Sequence, residues 1–341
     1  MKIPVYSSTI RRREMDAVLT CMVSEKIGPG EMNLKLVNQV REQFAFDGAL
    51  ALRSPALALK YALTALDVSP GSAIIISALA PAWQYQALIE FGFVPSIVDV
   101  HPDTGQMDIV HCEAAVKSGG RVIVLHEALG HIPDLASFLS LGVPLIEDIS
   151  LSVGAQYQEK LAGHVGVYAI LGLEEGDLLT AGGGAVLVSS QKRESVVLRT
   201  LAEKAPRTDI LADINAALAW VQLKEMPKNT LLRRELSQNF IRSLMQGRHK
   251  TVIELSEGSS SCWSFPVILS SGLKEVKQYV NRKEIEITCA FTGSVTEHLG
   301  DTLEGCITAK SLLMRCVLFP LYPRLGASNA ARIAKVLATL P

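Results

Sequence analysis

The sequence predicts an α/β fold in which a mostly parallel sheet is covered by helices on both faces. Three observations carry this. Short, largely apolar runs of strand length recur at residues 49–52, 73–76, 121–125 and 143–148. Segments with apolar residues at helical spacing separate them, as at 34–44 and 83–91. Gly, Pro and Ser punctuate the boundaries. Strands that are apolar on both sides belong in parallel sheets, because helices cover each face.

Taken in order, Arg11-Arg12-Arg13-Glu14 leads into Val18, Leu19 and Met22 as a polar helix, and Ile27-Gly28-Pro29-Gly30 is a turn. After the helix at 34–44 and the strand at 49–52, residues 55–66 form a helix. Ser54 is its N-cap and Pro55 its first residue, where a missing N–H costs nothing. Residues 73–76 form a buried strand, 83–91 a helix closed by Gly92, and 96–100 a strand. Two more strands follow at 121–125 and 143–148. Near Gly163 the texture changes. Residues 166–170 and 185–188 flank Gly182-Gly183-Gly184, which reads as a tight hairpin turn joining an antiparallel pair. Residues 210–244 form one long helix, with Arg233-Arg234 and the run Arg248-His249-Lys250 as its wet face. Strands at 263–269 and 314–319 and helices at 274–280 and 329–340 complete a smaller α/β unit. The expected division is a large domain at 1–225 and a small one at 226–341.

Composition narrows the function. The 341 residues carry 33 Lys+Arg against 34 Asp+Glu, a net charge of −1, which offers no field for nucleic acid or an anionic membrane. A hydrophobic share of 48% excludes disorder, and no apolar run approaches the ~20 residues that span a bilayer. Met1-Lys2-Ile3-Pro4-Val5-Tyr6 has no apolar signal core, so a cytoplasmic location is expected. The six cysteines contain no CxxC pair; they suit reduced core thiols rather than a disulfide frame or a zinc site.

Several segments in order resemble the DegT/DnrJ/EryC1/StrS family of sugar aminotransferases. Ser54-Pro55-Ala56-Leu57-Ala58-Leu59 is similar to that family's SGTAAL turn, and Phe93 to Val100 to its strand ending in Asp-Val. His126 to Gly130, followed by Pro133-Asp134-Leu135, resembles its VHLYG segment. Glu147-Asp148, followed by Gly154-Ala155, resembles EDAAQAxGA. Arg207-Thr208-Asp209-Ile210, Ala216-Ala217, Gln222-Leu223 and the closing Phe319-Pro320-Leu321-Tyr322-Pro323 extend the match nearly end to end. The resemblance implies the type I fold of pyridoxal-phosphate (PLP) enzymes.

It also implies a Schiff-base lysine at the end of a GDxGxFSFHPTK segment. Matching from Gly163 puts Tyr168-Ala169-Ile170 over Phe-Ser-Phe and Glu174 over the lysine; counting back from Gly183-Gly184 gives Glu175 or Gly176. Residues 161–191 contain no lysine and no arginine, and Glu174-Glu175-Gly176-Asp177 stands there instead. A carboxylate cannot form an aldimine. In the implied phosphate cup Pro55 replaces Gly, Ala56 replaces Thr and Ala169 replaces Ser, removing one N–H and two hydroxyls. Pro81 takes the place of a stacking aromatic, with Trp83 two residues on, and Leu151 replaces a Gln. Asp148, which would pair with the pyridine nitrogen, survives.

Each of these residues also has a plainer reading. Asp148 is either a ligand contact beyond a strand end or a cap of the Gly154-Ala155 turn. Glu174 and Glu175 are acid/base groups or a solvated loop. His126 lines the cleft or is a hydrogen-bonded histidine beside the sheet. Trp83 is a stacking platform or core. The vestigial cofactor cleft would then comprise Ser54, Ala56, Trp83, His126, Asp148 and Ala169, with no catalytic lysine, no metal and no bound PLP. The expected protein is a degenerate aminotransferase homologue, a homodimer with Gly28-Pro29-Gly30 and Gly182-Gly183-Gly184 near a shared cleft. It would act as a binding or partner protein in a bacterial surface-sugar pathway. The alternatives are an active nucleotide-sugar aminotransferase using another lysine, a different reaction in the old cleft, or a subunit paired with an active paralogue.

Overall fold

The computed structural model describes residues 2–253 and 258–341. Helices α1 (Arg12–Val23) and α2 (Glu31–Phe44) precede β1 (Gly48–Leu52) and α3 (Pro55–Ala65). Then come β2 (Ala73–Ser77), α4 (Ala82–Glu90), β3 (Val94–Val98), α5 (Ile109–Lys117), β4 (Gly120–His126), α6 (Leu135–Leu139) and β5 (Leu145–Asp148). Two short strands, β6 (Gln156–Tyr157) and β7 (Lys160–Leu161), lead to β8 (Tyr168–Gly172), β9 (Ala185–Ser189), α7 (Lys192–Lys204) and α8 (Asp213–Leu244). The remainder is β10 (Gly258–Ser259), β11 (Phe265–Ile268), α9 (Leu273–Arg282), β12 (Thr288–Cys289), α10 (Val295–Leu299), α11 (Ile307–Arg315), β13 (Cys316–Phe319) and α12 (Ala327–Leu337).

Seven strands form the main sheet in the order β1-β9-β8-β5-β4-β2-β3. Only β9 in this sheet opposes its neighbours, pairing antiparallel with β1 and β8. The mostly parallel α/β sheet expected from the apolar runs is therefore present. Its two faces separate by the strand period of two: Val186 and Val188 of β9 enter the core layer with α2 and α8, whereas Ala185 and Leu187 enter the layer with α3. A third core, around Phe240, Phe265 and Phe319, lies between α8, β11 and β13. Smaller sheets β10-β6-β7 and β11-β13-β12 flank the main one.

The starts of α3 and α2 are capped in different ways. Ser54 Oγ accepts the Leu57 N–H at 3.2 Å, as the cap reading required. Gly30 precedes α2 and has no side chain to cap it, so Asp213 from α8 does so: its carboxylate accepts from the N–H groups of Gly30 (2.8 Å), Met32 (3.1 Å) and Asn33 (2.9 Å). An anion at a helix N-terminus also complements the helix dipole.

Three sequence expectations need correcting. The 182–184 glycines do not form a tight hairpin turn. The β8–β9 ladder ends at the Gly172–Ala185 pair, so residues 173–184 make a long loop, and the glycines, with φ of 69°, 132° and 116°, form its returning limb. Arg233 is not on a wet face; it is buried and donates to three backbone carbonyls. The run 248–250 lies beyond the end of α8, and His249 is buried against Pro341 O at 2.9 Å. Helix α7 was not anticipated: its 13 residues are mostly charged or polar, and Leu198 alone is buried.

Candidate functional site

The carboxyl ends of β4 and β5 bring together the polar groups of the would-be cofactor cleft, since His126 and Asp148 are register partners. Asp148 is 1% exposed, and all of its acceptor capacity is taken by the chain itself. Its Oδ2 accepts from Gln84 Nε2 (2.8 Å) and His126 Nδ1 (2.9 Å). Its Oδ1 accepts from Ser150 Oγ (2.5 Å) and Ser150 N (3.2 Å). A carboxylate offers about four lone-pair sites, so four donors saturate it. Burial opposes ionisation of Asp148, but the His126 and Ser150 interactions outweigh it and hold the carboxyl below its ordinary range. The turn that Asp148 caps is its own 148–150 turn, not Gly154-Ala155.

Two further buried acids flank it. Glu147 accepts from the N–H groups of Gly163 (2.9 Å), Val165 (2.9 Å) and Gly166. Glu127 accepts from Ser152 Oγ, and burial, followed by the charge of Glu147, raises its pKa well above the usual carboxylate value. Nothing in the sequence pattern marked Glu127 or Gln84; their roles arise from strands and helices that meet only in the fold.

The acid segment 174–177 folds back over the end of β8. Asp177 Oδ2 accepts the Glu174 N–H at 2.8 Å, and a Cβ at Gly172 would collide with Asp177 Oδ2 and Ser150 Oγ. Asp177 has its pKa raised well above the ordinary value, by burial first and then by the charges of Asp148 and Glu174. Trp263 Nε1 donates to Gly176 O at 2.8 Å, and Tyr6 Oη to Asp177 O at 3.3 Å, fixing the turn from outside. Glu174 and Glu175 are exposed, and Glu174 Oε1 accepts from Gly184 N at 3.3 Å. They form the solvated loop of the plainer reading.

The remaining residues divide. Ser54 and Ala56 sit at the start of α3, in the layer that also holds Tyr168 and Ile170. Trp83, half-buried in the first turn of α4, packs on that same layer. Ala169 does not join them. Strand alternation turns its side chain to the opposite face of the sheet, into the core with α2 and α8, where it is fully buried. A hydroxyl there would not meet the start of α3; the β8 residues in that layer are Tyr168 and Ile170. Gly28 and Gly30 lie beside Arg207 and Asp213 respectively.

A structure with bound GDP-perosamine, a GDP-4-keto-6-deoxymannose-3-dehydratase, is similar at 19% identity over 98% of this chain and 100% of its own, with a TM-score of 0.85. The E. coli GDP-4-keto-6-deoxy-D-mannose-3-dehydratase with bound hydrated PLP matches at 19% identity, 99% coverage of both chains and a TM-score of 0.86. S. venezuelae DesV matches at 19% identity over 99% of this chain and 98% of its own, with a TM-score of 0.89. These likenesses show the type I fold. The model of the DegT/DnrJ/EryC1/StrS aminotransferase family matches residues 8–338. With nearly the whole length matched and the same architecture throughout, the chain belongs to the DegT/DnrJ/EryC1/StrS aminotransferase family.

Proposed function

We propose that this chain is a family member without PLP-dependent transaminase activity, acting as a binding or partner protein in bacterial nucleotide-sugar and polysaccharide metabolism. The observation that carries this reading is Asp148, whose carboxylate is filled by Gln84, His126 and Ser150. PLP, where bound, supplies an electron sink that needs a lysine amine, a phosphate cradle and an acid for its ring nitrogen. The residues present fit none of the three. The stretch 161–191 has no lysine, and Lys160 and Lys192 at its edges are exposed. In the first turn of α3, Pro55 has no N–H and Leu57 gives its own to Ser54, leaving only that of Ala56 for an anion.

Titration with PLP is therefore expected to give no aldimine absorbance, and borohydride reduction with peptide mapping no pyridoxyl-lysine in the cleft. A stoichiometric adduct on Lys160 or Lys192 would overturn the reading. One observation favours a second reading, a repurposed cleft: Gln84 Oε1 is buried with no partner. An occupant that donates a hydrogen bond there, such as a sugar hydroxyl, would relieve that cost. Calorimetric titration with a nucleotide-sugar in the absence of PLP separates the two.

The assembly belongs to the same proposal, and a symmetric homodimer located in the cytoplasm is what we infer. Met15, Leu19 and Met22, spaced i, i+4, i+7 on α1, are each more than half exposed, and Val23, Ile27 and Leu34 extend the apolar patch. Stable homodimers commonly bury more than ~2,000 Å², and an apolar patch of this kind suits such a surface. No helix among the described residues is long and apolar enough to cross a membrane, which leaves the patch without that explanation. Sedimentation at micromolar concentration is expected to show a species of twice the 36.8 kDa chain mass. A single monomer unchanged on concentrating would refute the dimer.

A further inference from the structure

The carboxyl ends of α9 and α12 border a cavity of about 360 Å³ that shares no residue with Asp148 and its partners. Four cations line it: Arg282 and Lys283 at the end of α9, and Arg332 and Lys335 on α12. Glu284 is the one carboxylate in the wall among the described residues, so the lining carries +3, in a chain whose net charge is −1. Helix α12 contains no acidic residue, and Glu275 of α9 stands in its first turn, at the opposite end. Carboxyl ends of helices favour cations, which accounts for Arg282 and Lys335, each in a last turn. Lys283 and Arg332 are in excess of that need.

The wall is fixed by its own bonds. Glu284 takes the left-handed backbone conformation, with φ of 55°, that usually falls to glycine. The turn it makes delivers two acceptors to one guanidinium nitrogen: Arg332 Nη2 donates to Lys283 O (2.8 Å) and to Glu284 Oε2 (3.3 Å). Ile3 clamps the same turn, its N–H donating to Glu284 O (2.8 Å) and its carbonyl accepting from Glu286 N (2.9 Å). Tyr279 Oη and Thr339 Oγ1 are 2.7 Å apart, and Thr339 Oγ1 donates to Lys335 O at 2.9 Å, so both hydroxyl hydrogens are spent within the wall. What the cavity still offers is charge. The Nη1 and Nε hydrogens of Arg332 are uncommitted, and Arg282, Lys283 and Lys335 have no carboxylate within ion-pair distance among the described residues. Like charges gathered this way repel one another unless an anion offsets them.

We propose that this cavity binds a small polyanion of the di- or polyphosphate class, its phosphates meeting the free hydrogens of Arg332 and the ammonium groups of Lys283 and Lys335. A guanidinium already oriented by two acceptors presents its remaining donors to phosphate oxygens in a fixed plane, and lysines add charge without fixed geometry. A lining of +3 matches a diphosphate better than a single carboxylate. Nucleic acid and an anionic membrane fit less well, because the cations are confined to one concavity and the chain supplies no wider positive field. The site is separate from the cofactor cleft and stands whether or not PLP binds there.

Calorimetric titration of the full chain with pyrophosphate, orthophosphate and ATP tests this. At physiological ionic strength pyrophosphate is expected to bind saturably, with a Kd below ~1 mM and at least ~5-fold tighter than orthophosphate, since more of the lining charge is matched. Lys283→Gln and Lys335→Gln, both at exposed positions, should each weaken pyrophosphate by ~5-fold or more. The double variant should lose it altogether, with an unchanged urea midpoint. Lys204→Gln, at the end of α7, is the control and should bind as the wild type does. ATP that loses affinity in the same variants would support the proposal with a nucleotide as the source of the phosphates. Pyrophosphate responding alone would support it with an inorganic di- or polyphosphate. Absence of saturable binding, or equal binding by the double variant and the wild type, would overturn it. So would an equal loss in Lys204→Gln, which would mark a diffuse field rather than a site.

Discussion

Glu174→Lys, and equally Glu175→Lys, is expected to leave the protein without measurable transamination and without tight PLP binding. Either change supplies an amine, yet on the proposed reading the rest of the cleft stays closed to the cofactor. The start of α3 still offers the Ala56 N–H as its one free donor N–H, with alanine in place of a hydroxyl at position 56 and Ser54 Oγ occupied in accepting from Leu57 N. Asp148 still holds four donors of its own chain. Each missing hydrogen bond to a charged group is worth ~1.5–3 kcal/mol, so the two lost at positions 55 and 56 together weaken binding by roughly a hundredfold or more. Adding Pro55→Gly and Ala56→Thr to the lysine variant should improve PLP affinity stepwise. Ala169→Ser should not, because position 169 faces the other side of the sheet from α3. Absorbance titration of each variant reads this directly. Micromolar PLP binding by a lysine variant alone would show that the cleft is not closed in this way.

Arg233→Met should be the most damaging single change to stability, lowering it by about 3–5 kcal/mol. Arg233 is 6% exposed, and its Nη1 donates to Trp263 O (2.6 Å), Leu321 O (2.9 Å) and Cys262 O (3.3 Å). Burial lowers its pKa to about 10, which still leaves it charged at neutral pH. Methionine fills similar volume but strands those buried carbonyls. The damage should spread, because Trp263 is the residue whose indole holds Gly176 and hence the acid turn. Arg233→Lys is expected to recover only part of the loss, since an ammonium cannot reproduce the planar guanidinium fork. Urea denaturation checks this. A variant within about 1 kcal/mol of wild type would show that the carbonyls find other partners.

Elements ruled by local chemistry were legible in the sequence. Ser54-Pro55 opening α3 and the apolar runs of β2, β4 and β5 needed only neighbouring residues to be read. The reversed strand β9 was legible too, from the change of texture after Gly163. What escaped depended on partners distant along the chain. Arg233 carries the same charge as its neighbour Arg234, and only the placement of residues 262, 263 and 321 buries it. Gln84 reaches Asp148 across 64 positions. The two-residue strands β6, β7 and β10 are too short to leave a period. Glycines 182–184 were recognised as a turn but misjudged in span, because the loop's other limb is held by Asp177 and Trp263 rather than by turn residues.

The self-satisfied Asp148 bears on how the protein lives in a cell. A protein that binds a ligand only when folded gains RT ln(1 + [L]/Kd), about 4 kcal/mol at a thousandfold excess over Kd, and loses that margin when the ligand is scarce. Here the partners of the acid are Gln84, His126 and Ser150, supplied at translation with the chain itself. If the chain binds no PLP, as proposed, its folded population is uncoupled from vitamin supply, and it would persist through starvation for the cofactor that thins out a PLP-requiring relative.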